Sequence, residues 1–358
     1  MGTIAITCIS SVLAAGGLCW LLFKLGPKKR DKKHSSLGSV DREQVQESFN
    51  NYSSFFNHPK KIQSLEKVPE VVDSFYNLVT EIYEWGWGDS FHFAPTIPGK
   101  SKNESIRVYQ DTIADLMRVK PGQTILDVGC GVGGPMRAIA THSGCNVVGI
   151  TINEYQVKKA NSQNKKFGME KQCEVIQGNF LKMTFQGDTF DGAYSIDATV
   201  HAPNLVDVYS EIFRVLKPGS MYVSNEWVTT DVYNIEDPEH VKIVEGIEKA
   251  NAFPGLRKYF DIGDAAKKAG FEVVMEKDYA KPPAKPWWLS LQMGKFDVWR
   301  SRITIMVLER LRIMPKGTLY VHDMRMQMTD YIRGAEMGIF SPLYIILCRK
   351  PEKTEPEA

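Results

Sequence analysis

The sequence is short of what a metalloprotein, a disulfide-built scaffold or a nucleic-acid binder requires. Six cysteines occur in 358 residues, two of them (Cys8 and Cys19) in the first apolar run and none in a C-x-x-C pair. Neither a zinc site nor a disulfide framework is indicated, and the usage fits a reducing cytosol. None of the seven histidines stands in a metal-ligand spacing such as H-E-x-x-H, so no metal is expected. A basic surplus is missing as well. Residues 1–33 hold six basic side chains against one acid, Asp31, which leaves −3 of the chain's formal +2 for the remainder. A mildly acidic body offers no footprint for DNA or RNA. No internal repeat is present.

What is present begins with a run of 20 uncharged residues, Ile4 to Phe23. That length spans a bilayer as a helix. Its positive charges follow the run, as Lys24, Lys28, Lys29, Arg30, Lys32 and Lys33, whereas a secretory leader would carry them ahead. An uncleaved, single-pass transmembrane anchor over 4–23 is expected, with the rest of the chain on the cytosolic side. Residues 24–60 read as a basic, polar juxtamembrane linker running into helices, and Val68 to Tyr83 carries apolar residues at helical spacing. From about Glu104 onward short apolar runs alternate with helical patterns: Thr124 to Val128, Asn146 to Ile150, Gly192 to Ile196 and Met221 to Ser224. The expected fold class is α/β, a parallel sheet covered on both faces. Phe271 to Met275 and Leu343 to Cys348 are candidate last strands, and the Pro-, Trp- and Met-rich stretch between them reads as an inserted cap.

The segment Leu126-Asp-Val-Gly-Cys-Gly-Val-Gly-Gly-Pro135 places four glycines between a buried strand and a helix. Glycines permit the tight turn and let the backbone approach a ligand, while an acid at the strand end holds a polar or cationic group. Dinucleotide-binding folds use similar glycines, so the string alone does not decide the ligand. With Asp127 ahead of it, the string resembles motif I of class I S-adenosylmethionine methyltransferases, which have a Rossmann-like, seven-stranded sheet. The resemblance implies S-adenosyl-L-methionine as cofactor, held by Asp127, Gly129, Cys130, Gly131 and Gly133. Most such enzymes carry an acid for the ribose after the second strand, where this chain has Thr151, Asn153 and Gln156. Asn179 and Phe180 match the position that reads the adenine.

Tyr83-Glu-Trp-Gly-Trp-Gly-Asp-Ser-Phe-His-Phe93 concentrates five aromatic residues, a histidine and two carboxylates in eleven positions. Gly86 and Gly88 point to a shaped loop there. Aromatic faces suit a flat apolar ligand and stabilise a carbocation by cation–π attraction, and a buried acid among them removes a proton. With Tyr194-Ser-Ile-Asp-Ala-Thr-Val-His-Ala-Pro203 and the terminal Phe340 to Pro351, this string is similar to the sterol C-24 methyltransferases over about residues 40–351, most of all to the plant branch that turns a 24-methylene into a 24-ethylidene sterol. The resemblance implies that Tyr83, Trp85, Trp87, Phe91 and Phe93 line the sterol site, that Glu84, Asp197, His201, Glu226 and Asp278 are its catalytic polar positions, and that the enzyme sits in the endoplasmic reticulum membrane, with a homo-oligomer possible. Implied regions are an aromatic sterol-binding segment (61–100), a methyltransferase core (101–230), a C-terminal region completing sheet and cap (231–351) and a tail (352–358). Glu211, in a helical pattern, reads as a structural pairing.

Three positions depart from the family's usual pattern. Asp197 stands for Glu, Val200 for Cys, and Ala250-Asn251 for Gly-Asp. An amide is no base at neutral pH, so altered product, first-step methylation of a Δ24 sterol, or a silent sterol-binding paralogue stay open.

Overall fold

A computed structural model describes residues 39–41, 43–56, 67–281, 285–291, 294–325 and 328–352. The expected anchor, Ile4 to Phe23, lies outside the described residues; among those described, no helix is long and apolar enough to cross a membrane. All the described residues belong to one compact unit.

In chain order the elements are α1 (Val45–Ser54), α2 (Val68–Trp87), α3 (Lys102–Met117), β1 (Thr124–Val128), α4 (Gly134–Ser143), β2 (Asn146–Thr151), α5 (Glu154–Lys166), β3 (Cys173–Gln177), β4 (Phe190–Ile196), α6 (Leu205–Val215), β5 (Leu216–Thr229), α7 (Pro238–Asn251), β6 (Arg257–Lys258), α8 (Tyr259–Lys268), β7 (Glu272–Asp278), α9 (Lys295–Arg310), α10 (Thr318–Arg325), α11 (Met328–Glu336) and β8 (Phe340–Arg349). Sequence rules explain many of the boundaries. Ser101 and Glu104 close a capping box on α3, and Asn153, Asn204 and Asp237 cap α5, α6 and α7 with their side-chain oxygens.

The sheet runs β3-β2-β1-β4-β5-β8-β7, with the two-residue β6 on the edge of β5. The first five strands are parallel and β8 is antiparallel to both its neighbours, so the sheet is mixed where a parallel one was expected. The reason is connectivity: β8 is reached only after the chain has left β7 and built the cap, and it returns between β5 and β7. Strand order reverses about β1, whose neighbours are β2 and β4, and this is the switch point where α/β sheets open a ligand crevice at the carboxyl ends of the strands.

Two readings of the N-terminal region change. The polar linker stretch contains α1, whose Val45 and Tyr52 are fully buried. The aromatic string is not one loop: α2 continues to Trp87, because Gly86 is tolerated inside a helix, and the chain leaves the helix only at Gly88 (φ +73°). Val71, Phe75, Leu78 and Val79 of α2 share a core with Tyr52, Ala252, Val321 and Met324. The lid over the sheet is therefore assembled from both ends of the chain, α1 and α2 joining α7 and α10.

Candidate active site

Two adjoining cavities open above the carboxyl ends of β1, β2 and β4. The larger, about 940 Å³ including its open mouth, is bounded by the β1–α4 turn, Thr151 and Gln156 after β2, and Asn179 and Phe180 after β3. Gly129 makes this turn possible. Its φ is +81° and a Cβ there would lie 2.2 Å from the Cβ of Ala198, so any side chain would push apart the ends of β1 and β4. Asp127, Cys130 and Gly131 also line this cleft. The Asp127 carboxyl accepts a hydrogen bond from Tyr194 Oη at 2.8 Å, and burial pushes its pKa up to about 7. A cation brought beside it would restore its charge.

Not every expected cofactor residue faces the cleft. Asn153 is fully buried outside its lining: its Oδ1 caps α5 through Gln156 N (2.9 Å), and its Nδ2 donates to Asp73 Oδ1 and Asn77 Oδ1 of α2. It joins the cofactor fold to the lid. Gly133 serves the turn: at φ +77° it caps α4, with the Arg137 guanidinium where a Cβ would project. Thr151 Oγ1 donates to Gln156 Oε1 at 2.8 Å, which leaves the buried Gln156 Nε2 without a partner at the cleft wall. A buried amide donor without an acceptor costs about 1–3 kcal/mol. A hydroxyl-bearing ligand in the cleft would recover that cost, so the residues present fit S-adenosyl-L-methionine without the customary ribose acid.

The smaller cavity, about 540 Å³, is walled by Tyr83, Phe91, Phe93, Trp227, Phe253 and Tyr331, with Leu291 and Asn251. Tyr76, Phe91, His92, Asp197 and His201 belong to both cavities. They mark the passage between them. Sequence reading found Phe91, Asp197 and His201 but missed Tyr76 and His92. Tyr76 stands seven residues before Tyr83, two helical turns up the same face of α2, and that spacing was the available signal. Trp227, Phe253 and Tyr331 come from β5, the loop after α7, and α11, and no local pattern joins them.

The acids divide sharply. Asp197 alone of the four expected carboxylates reaches the passage. It sits in a left-handed conformation (φ +56°) just past β4, and Asn225 Nδ2 donates to its Oδ1. Asn225 is itself fixed by Tyr109 Oη (2.5 Å) and the Pro342 carbonyl (3.0 Å). The Trp227 indole N–H, which closes no hydrogen bond, faces the same carboxyl. Asp197 is only partly covered by protein, but what it faces is cavity rather than bulk water, and this desolvation lifts its pKa to about 8 despite those donors.

The other three carboxylates serve elsewhere. Glu84 turns away from both cavities to an ion pair with Lys159 of α5. Glu226 is almost wholly buried under three hydroxyl donors, Thr199, Tyr209 (2.9 Å) and Ser224 (2.6 Å), and burial raises its pKa. It holds the end of β5 to the 199–201 turn and to α6. Asp278 accepts from Ser341 Oγ at 2.7 Å and from Ala280 N, which fixes the exit of β7. Glu211 pairs with Arg214 as expected. The helix that contains Trp85 and Trp87 is described, but their side chains lie outside the described residues.

Both histidines of the passage are neutral. Burial lowers each pKa to about 4. His201 Nδ1 faces the Ala252 carbonyl (3.2 Å) and its Nε2 the Tyr76 hydroxyl (3.0 Å), an arrangement satisfied by Nδ1–H donating and Nε2 accepting. His92 has the same pattern between the Phe93 carbonyl (2.7 Å) and Gln110 (2.9 Å). A cation in the passage thus meets aromatic faces, neutral imidazoles and one carboxyl. Asn251 closes the far end of the chamber, its Nδ2 donating to Tyr331 Oη (2.5 Å) and the Ile247 carbonyl (2.7 Å), its Oδ1 accepting from Tyr83 Oη at 3.3 Å.

Among known proteins, residues 126–224 match the methyltransferase domain family and residues 288–352 the sterol methyltransferase C-terminal family. The chain is 58% identical over 350 residues, 97% of each chain, to 24-methylenesterol C-methyltransferase 2 of Arabidopsis thaliana. It is 37% identical to cycloartenol-C-24-methyltransferase of the same plant, over 88% of this chain and 98% of that one. The crystal structure of geranyl diphosphate C-methyltransferase from Streptomyces coelicolor shares the fold, with a TM-score of 0.60 at 17% identity over 79% of this chain and 98% of that one. The chain belongs to the S-adenosyl-L-methionine-dependent sterol C-methyltransferases.

Proposed function

We propose that this chain methylates the side chain of a 24-methylene sterol to give a 24-ethylidene sterol, with Asp197 as the proton acceptor. One observation carries the reading. The cofactor cleft and an aromatic chamber meet at a passage where, among the described residues, Asp197 is the only acid. The higher identity to the 24-methylenesterol enzyme than to the cycloartenol enzyme supports the second methylation over the first.

S-adenosyl-L-methionine, when bound, supplies an electrophilic methyl, which the substrate's double bond attacks without any protein nucleophile. The protein's own residues do the rest. Asp127, Gln156 and the Gly129 turn hold the donor in the cleft. Phe91, Phe93 and Tyr83 surround the apolar side chain, exclude water and present ring faces to the tertiary cation that the attack leaves on the sterol. His92 and His201, held neutral, add no positive charge to oppose it. That cation favours the ionised form of Asp197, whose carboxylate accepts the proton lost as the new double bond forms. Asn225 fixes the direction in which Asp197 points. Asn251, unable to take a proton, acts as a polar stop at the chamber's end.

The apolar run at 4–23 and the basic cluster after it support a single-pass anchor in the endoplasmic reticulum membrane with the catalytic unit in the cytosol. In the test, microsomal protein receives labelled S-adenosyl-L-methionine with a 24-methylene sterol or a Δ24 sterol, and products are identified by mass spectrometry. A 24-ethylidene product from the former is expected. Methylation of the Δ24 sterol alone would move the chain to the first step, and methylation of neither would overturn the assignment.

A further inference from the structure

The cap carries a helix that the described residues leave half unpacked. No described residue of α9 is buried, although the helix contains Phe296, Val298, Trp299, Ile303, Ile305, Met306, Val307 and Leu308. At about 100° per residue these residues fall on two opposed faces. Val298, Ile305 and Leu308 share one face with Ser301, whose hydroxyl lies 3.1 Å from His322 Nε2 of α10, and α10 is the principal neighbour of α9. Phe296, Trp299, Ile303, Met306 and Val307 occupy the other, and the stripe continues past the helix end to Leu311. Phe296, Trp299 and Leu311 are 68%, 58% and 63% exposed, with the Phe296 and Trp299 rings 5.8 Å apart. A helix of this length draws most of its stability from packing an apolar face, and this one has a second face that packs against nothing among the described residues.

We infer that the outer face of α9 seats on the surface of an anionic lipid bilayer, as a second membrane contact from which sterol enters the chamber. Charge complementarity chooses this occupant. Residues 285–316 carry seven basic side chains, among them Arg300, Arg310 and Arg312, against two acids, Asp297 and Glu309. The rest of the chain, anchor region included, is net acidic. Arg300 and Arg310 project from the same face as the apolar stripe, where long side chains reach phosphate headgroups while their stems lie along the hydrocarbon boundary. A docking surface for a second copy of this chain would have no use for a local surplus of like charge, which would face itself across a two-fold axis. Position supports the same choice. Leu291, four residues before α9, lines the aromatic chamber, so a bilayer under α9 places lipid beside the chamber wall. The inference rests on the sterol reading only for its purpose; the contact itself is readable without turnover.

The full chain, with Cys8→Ser and Cys19→Ser to leave no native thiol in the apolar run and with Met306→Cys labelled by an environment-sensitive fluorophore, is reconstituted into vesicles of phosphatidylcholine with one-fifth phosphatidylserine. Nitroxide-bearing lipids should quench the label, and the added pair Phe296→Ser and Trp299→Ser should reduce that quenching several-fold. The same pair in the unlabelled enzyme should lower kcat/KM for vesicle-embedded sterol about tenfold and leave turnover of detergent-dispersed sterol unchanged. Absence of lipid quenching, or quenching indifferent to the two serines, overturns the inference. So does a label that is shielded from a water-soluble quencher in proportion to protein density but untouched by nitroxide lipid, which identifies self-association. No methylation of detergent-dispersed sterol by the unmutated enzyme would instead count against the sterol reading, and the quenching result would stand apart from it.

Discussion

Replacing Asp197 by Asn should make the protein more stable and nearly inactive, and the stability gain should grow with pH. Burial lifts the carboxyl from its usual 3.8 to about 8. Between those two values the folded chain holds a proton that the unfolded chain has released, so stability falls as pH rises through this window, and the whole penalty is present above about pH 8. At roughly 1.4 kcal/mol per unit the penalty is at most about 1.6 kcal/mol at pH 5 and about 5–6 kcal/mol at pH 8. Because the carboxyl is only partly covered by protein, about half of that difference, roughly 2 kcal/mol, is expected to appear. A protein of this size unfolds with an entropy of about 0.7 kcal/mol/K, so Asp197→Asn should gain about 3 °C more in Tm at pH 8 than at pH 5. Asn keeps an acceptor for Asn225 Nδ2, so the local geometry survives. Turnover should fall by about 10²–10⁴-fold, the usual share of a general base. Differential scanning calorimetry across pH 5 to 8.5, with steady-state rates on the same preparations, checks both halves. A Tm difference that does not change with pH, or a variant retaining a tenth of the wild-type rate, would refute the reasoning.

Glu84→Gln breaks the pair with Lys159 at the rim of α2 and should change kcat by less than about threefold, since a partly exposed ion pair contributes about 0–1 kcal/mol; a hundredfold loss would return Glu84 to the chemistry. Glu226→Ala leaves three buried hydroxyls without their acceptor and should cost about 3 kcal/mol or more in urea unfolding, the loss appearing as stability before it appears as KM. Gly129→Ala puts a Cβ 2.2 Å from that of Ala198, so cofactor affinity measured by calorimetry should fall at least tenfold if the fold survives at all. Asn251→Asp places a titratable group between Tyr83 and Tyr331; combined with Asp197→Glu, it should shift the product ratio read by mass spectrometry, and an unchanged ratio and rate would remove the case that these departures tune the outcome.

The sheet was legible because it is written locally. Short β-branched runs such as Thr124 to Val128, ended by Gly129, and Asn146 to Ile150, shortly before the helix cap Asn153, specify a strand and its end without reference to anything distant. The Gly129 turn was legible for a similar reason: its constraint is a backbone angle, and only glycine meets it cheaply. Helix α2 shows where local rules weaken, since Gly86 lowers helix propensity by only about 1 kcal/mol and packing of Phe75, Leu78 and Val79 outweighs it.

The roles of the carboxylates were not written locally. Glu84, Asp197, Glu226 and Asp278 carry the same functional group, and only their surroundings tell them apart: a lysine from α5, a cavity floor, a cluster of hydroxyls, a strand exit. Each of those surroundings includes a partner distant in the chain, as when Tyr109 and Pro342 fix Asn225 and Asn225 fixes Asp197. The sequence by itself determined the α/β class, the methyl-donor cleft and the aromatic character of the substrate chamber, since those follow from residue type and spacing, whereas the antiparallel place of β8 was not written locally. Which acid faces the passage, which histidines stay neutral and which helix keeps an uncovered face were decided only by tertiary structure, because desolvation and hydrogen-bond partners depend on what folding brings alongside a residue and not on its neighbours in the chain.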